Sequence, residues 1–505
     1  MTLENQPSHT NKEAPSIRIL FSALLLVMLL AALDQTIVST ALPTIVGELG
    51  GLEDLSWVVT SYLLASTIVV PLYGKFGDLF GRKIVLQTAI VLFLLGSALC
   101  GIAQNMTQLI LMRALQGLGG GGLMVVSMAV VGDIIPPADR GKYQGFFGAV
   151  FGLATVVGPL LGGFLVEHFS WRWIFYINLP LGVLALLVIG ATFQSQKSRV
   201  KHEIDYIGAF YLATALTCII LFTSEGGTVL EWSNGQLWCI LAFGLVALGG
   251  FIYEQTLAAE PLIPLNLFRQ RTFVLSCLIG FIIGMSLFGS VTFLPLYLQV
   301  VKGSTPSQAG MQLLPLMGGI VVSSILSGWV ISKTGKYRIF PIIGTLVAFV
   351  GMVLLGTLKL NTPLHLLYIY IGTLGLGLGM VMQVLILAVQ NSVEPKMIGV
   401  ATASTTLFRS IGGSIGVAAF GAVFTNVLHT RLTALIPEGT QLPRSLAPQT
   451  IHDLPAALRD DYLQAFGAAI HSVYQIAAVI MVIGFGLALL MKNTPLNGVP
   501  VLKQE

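Results

Sequence analysis

Apolar stretches of about 20 residues recur along nearly the whole chain, and they constrain its fold more than any other feature. As a helix, a stretch of that length crosses the roughly 30 Å hydrocarbon core of a bilayer. Only 10% of the 505 residues are charged and 55% are hydrophobic, whereas about a quarter of the residues in a soluble domain are charged. We therefore predict an all-α polytopic membrane protein.

The polar breaks between the apolar runs divide the chain into fourteen predicted membrane-spanning helices. They cover residues 18–42, 56–73, 84–104, 107–131, 141–166, 172–194, 206–223, 236–254, 272–299, 308–332, 338–357, 364–391, 399–428 and 467–492. An even number returns both termini to the same side. With the termini in the cytoplasm, eighteen of the 26 basic residues fall in inner segments and three, Arg172, Lys302 and Lys359, in short outer connections. This bias predicts cytoplasmic termini.

A charged segment punctuated by glycine, Gly74 to Lys83, separates the second and third apolar runs, and we interpret it as a loop. A degraded copy, Gly328 to Arg338, follows the tenth run. The repeat predicts two six-helix bundles, 18–194 and 272–492, with two inserted helices at 206–254. Transporters are often built from such repeats, with the substrate site between them. The remaining predicted segments are a cytoplasmic tail at 1–17, an interfacial cytoplasmic linker at 255–271, an outer loop or hairpin at 429–466 and a cytoplasmic tail at 493–505.

Several functional classes are disfavoured by the sequence. The four cysteines lie inside apolar runs without the spacing of metal ligands, so neither a disulfide framework nor a metal site is indicated. Residues 1–17 lack the pattern of a signal peptide, so we expect the first apolar run to be retained. No set of nucleophile, base and oxyanion donors is visible, and the glycine-rich runs lack a phosphate-loop lysine. We therefore expect neither an enzyme nor an ATP-driven pump.

Five segments of the first 180 residues carry more specific patterns. They are Leu33 to Pro43, Gly74 to Lys83, Arg113 to Gly121, Gly152 to Gly163 and Trp171 to Pro180. In this order they resemble the signature set of the fourteen-helix drug:proton antiporter branch of the major facilitator superfamily, the multidrug efflux permeases. The resemblance implies a major facilitator fold and proton-driven export of amphipathic or hydrophobic drugs and toxic compounds, which we expect to be cationic. It also implies alternating access across a bacterial cytoplasmic membrane and a role in drug resistance.

The resemblance also assigns roles to the segment Gly74 to Lys83. It implies that Asp78 and Arg82 belong to an ionic latch joining the two bundles when the transporter is open outward, with Arg140 as the expected partner. The glycines that permit tight turns and close helix approach are Gly74, Gly77 and Gly81. An ordinary basic inner loop is the alternative. A further motif, which resembles the antiporter helix motif thought to favour export over uptake, comprises Gly152, Gly158, Pro159 and Gly162.

Asp34 is an acid well inside an apolar helix, so it must face a partner or water rather than lipid. At 1.5 Å per residue it lies about 12 Å from the outer end of its helix, and Arg113 lies about 9 Å from the same surface. We therefore predict that the two charges meet. A carboxylate whose separation from a cation and whose hydration alternate can bind and release a proton, so we assign proton coupling to Asp34 and Arg113. A permanent structural ion pair is the alternative.

Arg409 is a third charge within the membrane, and the sequence gives it no acidic partner at its depth. Four roles stay open for it. It could bind an anionic substrate group, tune a proton site, satisfy backbone carbonyls or serve a structural purpose. Candidates for an adaptable apolar substrate cavity are Trp57, Tyr62, Tyr297, Gln299, Met380, Met382 and Gln383, each of which simple packing also explains.

The sequence leaves two other functions open. One is export of an endogenous metabolite, lipid or siderophore, and the other is a membrane receptor that transports nothing. We expect no cofactor, since a proton gradient would supply the energy, and no nucleic-acid partner. The expected partners are the lipid bilayer, protons and amphipathic small molecules. We expect a monomer, and a periplasmic adaptor stays open.

Overall fold

The computed structural model describes residues 17–50, 55–193, 203–226, 230, 232–435 and 456–492. The α-helices in these ranges are α1 (Ile17–Leu49), α2 (Leu55–Phe80), α3 (Arg82–Gly101), α4 (Met106–Ile134), α5 (Pro137–His168), α6 (Trp173–Tyr176), α7 (Asn178–Thr192), α8 (Tyr206–Glu225), α9 (Gly235–Leu257), α10 (Arg271–Val300), α11 (Pro306–Gln312), α12 (Leu314–Thr334), α13 (Ile339–Leu355), α14 (Leu364–Ser392), α15 (Ile398–Leu435) and α16 (Ala456–Leu489). Short 3₁₀ helices, Leu265–Arg269 and Pro395–Met397, precede α10 and α15.

Each of the fourteen predicted crossings has a helical counterpart, and one of these helices is shorter than the others. Within the described ranges, 13 helical stretches are long and apolar enough to cross a membrane, and α13 is a shorter apolar helix of 17 residues. Two of the stretches, Trp173–Thr192 and Gln308–Thr334, each combine a short α-helix with the longer one that follows it, and a third, Pro395–Ala434, begins with a 3₁₀ helix. The all-α polytopic fold class is confirmed.

The segment Gly74 to Lys83 is not the loop that the sequence predicts. α2 continues through it to Phe80, and Gly81, with a φ of 90°, is the single residue between α2 and α3. The physical reason is tertiary packing, because this last part of α2 lies against α15. The charged residues of the segment therefore project from helices in fixed directions.

The described parts of the predicted outer hairpin or cap at 429–466 are helical. α15 runs on to Leu435, and α16 begins at Ala456, well before the predicted start at residue 467. Residues 436–455 lie outside the described ranges, as do the predicted cytoplasmic tail at 493–505 and nearly all of the tail at 1–17. Each of these two helices thus continues beyond its apolar part into a segment that contains polar residues.

Helix packing assembles two halves. In the first, α1 packs on α5 and α7, and both α2 and α3 pack on α4. In the second, α10 packs on α15 and α16, and both α12 and α13 pack on α14. Two crossings, α2 with α15 and α5 with α12, make the main contacts between the halves.

The two inserted helices, α8 and α9, pack on each other, and α8 also contacts α2 and α15. Large apolar side chains such as Phe210 and Val246 are exposed on this pair, where lipid would cover them in a membrane. The linker that follows is more buried than the sequence predicts. Its side chains Leu262, Ile263 and Leu267 pack inside the protein, whereas the sequence assigns the apolar residues of this segment to the membrane interface.

Candidate functional site

An ion pair between α1 and α4 lies at the centre of the first half. Arg113 Nη1 donates to Asp34 Oδ2 at 2.6 Å, and the two residues are 1% and 0% exposed. Arg113 Nε also donates to the backbone oxygen of Val58 at 3.2 Å. The depth argument from the sequence thus correctly predicts that the two charges meet. Their proposed part in proton coupling stays a prediction.

Side-chain amides surround the carboxylate of Asp34. Gln116 Nε2 and Asn178 Nδ2 donate to Asp34 Oδ1 at 2.8 and 3.1 Å. Both amides also donate to Ser97 Oγ, at 3.0 and 2.9 Å. A buried ion pair needs such additional hydrogen bonds, because the attraction between two charges alone does not offset the loss of water. The network gives both oxygens of the Asp34 carboxylate a hydrogen-bond donor.

Tyr62 belongs to this cluster and not to a substrate pocket. Its ring is buried, and the guanidinium carbon of Arg113 lies 4.2 Å from the ring centroid. This cation–π contact stabilises the guanidinium in addition to its ion pair with Asp34. The substrate-binding candidate Tyr62 is therefore a structural neighbour of Arg113.

A cavity of about 1000 Å³ lies between the two halves. The first half contributes α1, α2, α4 and α5, the second half contributes α10, α14 and α15, and α8 completes the wall. The lining is mostly apolar, with scattered hydroxyl and amide groups. The residue next to Asp34 in the chain, Gln35, lines this cavity, whereas Asp34 itself does not.

Two of the seven residues that the sequence offers as substrate-binding candidates, Met382 and Gln383, line the cavity. Arg409 also lines it. Tyr297 is buried in the core of the second half, where its hydroxyl donates to the backbone oxygen of Lys359 at 3.0 Å. Trp57, Gln299 and Met380 do not line this cavity either. Residue type alone did not separate cavity positions from packing positions, because aromatic and methionine side chains serve both.

Two sets of contacts between the halves, which we call the latch, join α2 to α15 and α5 to α14. Its first contact joins α2 to the start of α15. Asp78 accepts hydrogen bonds from the backbone N–H groups of Gly399 and Val400 at 3.0 and 2.9 Å. Arg82 pairs with Asp78 and donates from Nε to Asp133 Oδ2 at 2.7 Å. Arg82 therefore orients the carboxylate of Asp78 from within the first half.

Each glycine of the motif has a distinct structural reason. A Cβ on Gly74 would lie 2.5 Å from Ala403 Cβ and 2.7 Å from the backbone oxygen of Gly399, so the close approach of α2 to α15 requires glycine there. A Cβ on Gly77 would collide with the guanidinium of Arg82. Gly81 adopts the left-handed backbone region that other residues rarely occupy.

The second latch contact joins α5 to α14 and corrects the prediction for Arg140. Arg140 does not pair with Asp78. It donates instead to Asn391 Oδ1 at 2.9 Å and to the backbone oxygen of Ile135 at 3.0 Å. Beside it, Gln144 Nε2 donates to Gln390 Oε1 at 3.2 Å. Arg140 therefore forms a separate bridge between the halves.

The antiporter helix motif lies on α5. A Cβ on Gly152 would lie 2.7 Å from Val321 Cγ2 of α12, in the other half. A Cβ on Gly158 would collide with Thr36 of α1, within the same half. Pro159 is inside the helix, and Gly162 is buried. The motif thus permits close packing on both sides of α5, and its proposed bias towards export stays a prediction.

A polar cluster lies at the opposite end of the first half from the latch. Glu48 Oε2 accepts a hydrogen bond from Trp171 Nε1 at 2.7 Å, and its Oε1 pairs with Arg172. Glu48 lies beyond the membrane-spanning part of α1, Ile17–Val38. The hydrogen bonds from Arg172 and Trp171 hold the pKa of Glu48 below its usual range. The cluster ties the end of α1 to the connection between α5 and α6.

The sequence did not single out roles for the polar residues that complete the site. These are Ser97, Gln116 and Asn178 around Asp34, Asp133 beside Arg82, and Gln144, Gln390 and Asn391 at the latch. A signal existed, since an amide in an apolar membrane helix needs a partner inside the protein. The sequence does not show which residue each amide contacts, because these contacts join distant parts of the chain.

Comparisons with known proteins agree with this architecture. A family model described as Major Facilitator Superfamily matches residues 24–417. The chain is 41% identical over 482 residues to an uncharacterised MFS-type transporter of Mycobacterium tuberculosis, covering 95% of this chain and 70% of that protein. It is 36% identical over 509 residues to the multidrug transporter protein MdtP of Bacillus subtilis, covering 95% and 94%.

A solved structure, that of the human organic anion transporter MFSD10, superposes with a TM-score of 0.62. The match covers 92% of this chain and 100% of that one at 14% sequence identity. At that identity the likeness concerns the fold alone.

Proposed function

Since the chain belongs to the Major Facilitator Superfamily, and is therefore a multi-pass membrane transporter, we propose that it is a proton-coupled antiporter that exports amphipathic compounds by alternating access. The relative MdtP, named a multidrug transporter, supports export of foreign compounds. We place the protein in the bacterial cytoplasmic membrane with both termini in the cytoplasm. It would act as a monomer, without a cofactor, and confer drug resistance.

One observation carries the proposal. A carboxylate that is 0% exposed, Asp34, lies within a membrane-spanning helix and is adjacent in the chain to Gln35, which lines the central cavity. Ionisable groups inside a membrane are costly and mark ion or proton pathways. A shift of α1 during the cycle would move Asp34 and the cavity wall together. Cargo binding and proton binding would thereby be linked.

The network around Asp34 supports a change of charge state. In the ionised state the carboxylate accepts from Arg113, Gln116 and Asn178. Asn178 Oδ1 is buried and has no hydrogen-bond partner among the described residues. Flipping the side-chain amide of Asn178 would turn its Oδ1 towards Asp34, where it could accept a hydrogen bond from the proton of a neutral Asp34. The same side chains could then satisfy either form, which a proton carrier requires.

The latch supports alternating access. With the termini in the cytoplasm, the ends of α2 and α14 and the start of α15 face the cytoplasm, so the contacts of Asp78 and Arg140 would close the inner side. The cavity wall runs along α15 from Arg409 to the exposed residues Asn426 and His429. We therefore assign this conformation to the outward-open state. The cycle would break the latch to admit cargo from the cytoplasm or inner leaflet.

Transport assays in proteoliposomes test the proposal. The purified protein is reconstituted with a dansyl fluorophore on an undecyl chain that ends in a carboxylate, an amine or a methyl ester. We expect an imposed pH gradient to drive transport of at least one of these compounds, and its transport to move protons in the opposite direction. A transport rate that does not change with the pH gradient would refute proton coupling. Binding of the compounds without any transport would favour a membrane receptor.

A further inference from the structure

The charge of the central cavity indicates the class of cargo. Among the described residues that line it, Arg409 is the one charged side chain, and no aspartate or glutamate is present. His429, about 30 Å further along α15 at 1.5 Å per residue, is the other titratable side chain of the lining. The cavity therefore carries an uncompensated positive charge at its deep end.

Arg409 is held in this place by the packing of α15. The lining residues of α15 recur three or four positions apart, as Thr406, Arg409, Gly413 and Val417, so one face of the helix forms the wall. The other side of the helix packs closely against α10, because a Cβ on Gly284 of α10 would collide with the backbone oxygen of Arg409. The side chain of Arg409 therefore lies on the cavity wall.

No hydrogen bond or ion pair engages the guanidinium of Arg409 within the described part of the chain. This differs sharply from Arg113 and Arg82, which both pair with aspartates. An arginine in a membrane interior without a counter-charge is costly. A planar guanidinium without partners is also well suited to bind a carboxylate, sulfonate or phosphate through two hydrogen bonds.

We propose that Arg409 is an anion-binding residue of the cavity and that the cargo is an amphipathic organic anion. The apolar wall would take the hydrophobic body of such a molecule. Gln383, whose buried Oε1 has no hydrogen-bond partner among the described residues, adds a polar group to the same cavity. A cationic compound would meet the charge of Arg409 with no acid on the wall to offset it. The proposal replaces the sequence-based expectation of a cationic cargo and rests on the proposed export function.

Equilibrium binding to the full chain in lipid nanodiscs tests it. The probes are the three dansyl compounds with a carboxylate, an amine or a methyl ester, and empty nanodiscs of the same lipid give the background. The variants are Arg409→Gln, which removes the charge, and Arg409→Lys, which keeps it. Lys396→Gln is the matched control, because Lys396 is an exposed cation on the short helix before α15 and does not line the cavity.

We expect the unmodified protein to bind the carboxylate more tightly than the amine or the ester. Arg409→Gln should weaken binding of the carboxylate by about tenfold or more, since a hydrogen bond to a charged group is lost. Binding of the ester should be unchanged, Arg409→Lys should retain part of the preference, and Lys396→Gln should match the unmodified protein. Tighter binding of the amine by the unmodified protein, or an equal loss for all three probes in Arg409→Gln, would overturn the proposal.

The binding experiment decides the proposal even if one variant does not fold or proton-driven transport is not found. If Arg409→Gln does not fold, the preference of the unmodified protein and of Arg409→Lys decides, and a lack of preference for the carboxylate in both contradicts the proposal. The binding assay is done at uniform pH and needs no proton coupling. A failure of proton-driven transport would therefore leave the result on Arg409 intact, and the reverse also holds.

Discussion

Asp78 of the first half caps a helix of the second half through Val400. Its Oδ2 accepts from the backbone N–H of Val400 at 2.9 Å, and its Oδ1 accepts from that of Gly399 at 3.0 Å. A carboxylate at this place satisfies backbone donors that an α-helix leaves unpaired, and it complements the positive end of the helix dipole. The latch at this point is therefore a helix cap that spans the two halves. Arg82 serves it by holding the carboxylate in position.

Asp78→Asn should weaken the latch. The substitution keeps the shape of the side chain but removes the charge that strengthens its hydrogen bonds, each worth about 1.5–3 kcal/mol. We expect the population with separated latch ends to rise about tenfold or more. Electron–electron distance measurements between spin labels at residues 142 and 394, which are exposed on opposite halves, would report the separation.

Asp139→Asn is the matched control for this experiment, because Asp139 is an exposed acid in the first turn of α5 at the same end of the molecule. Its distance distribution should be that of the unmodified protein. An unchanged distribution in Asp78→Asn would remove Asp78 from the latch.

Gly74→Ala should act on the same equilibrium through volume instead of charge. The added Cβ would meet Ala403 Cβ at 2.5 Å and the backbone oxygen of Gly399 at 2.7 Å, so α2 and α15 must move apart. Overpacking of this kind costs about 1–3 kcal/mol. The same pair of spin labels should show a larger separated population. In Gly163→Ala, where nothing lies within 4 Å of the added Cβ, the distribution should not change. Equal effects of the two substitutions would contradict this reading of Gly74.

Glu48 gives the protein a pH-dependent contribution to stability. Because Arg172 and Trp171 lower the pKa of Glu48 in the folded state, its ionised form stabilises the fold above the ordinary carboxyl pKa of about 4.3. That stabilisation is lost as the pH falls through the lowered value. Glu48→Gln should therefore lower the Tm at pH 7, and the difference from the unmodified protein should shrink towards pH 3. A difference that grows as the pH falls would show that the sign is wrong.

The sequence predicted contacts that depend on depth in the membrane better than contacts that depend on helix packing. The depths of Asp34 and Arg113 follow from helix rise alone, and their pairing was correctly predicted. The partners of Arg140 follow from the crossing of α5 and α14, which no local pattern encodes. Local charge and glycine content also suggested a loop at Gly74 to Lys83, where packing against α15 keeps α2 helical.

The cavity shows the same limit. The sequence identified Arg409 as a charge without an acidic partner, but it did not place this residue in the cavity wall. Trp57 and Tyr62 were chosen as candidates by residue type, which does not distinguish a wall position from a buried one. Arg409 was placed by the assembled fold, where Gly284 fixes one side of α15 against α10.

An anionic cargo has a consequence for the energetics of transport. Export of a monovalent anion in exchange for one inward proton moves two positive charge equivalents into the cell per cycle. A membrane potential that is negative inside would then drive transport even without a pH gradient. In proteoliposomes we expect a potassium diffusion potential with valinomycin to accelerate export of the dansyl carboxylate. Export that does not respond to the potential would exclude this charge balance.

We propose that Asp34 carries the proton that is exchanged for cargo. The decisive experiment compares the unmodified protein with Asp34→Asn, and with Asp139→Asn as control, in proteoliposomes that contain a pH-sensitive dye. We expect Asp34→Asn still to exchange labelled for unlabelled cargo at equal pH on both sides. We also expect that this variant no longer moves protons when cargo is added, whereas Asp139→Asn does. Full cargo-driven proton movement in Asp34→Asn would show that Asp34 does not carry the exchanged proton.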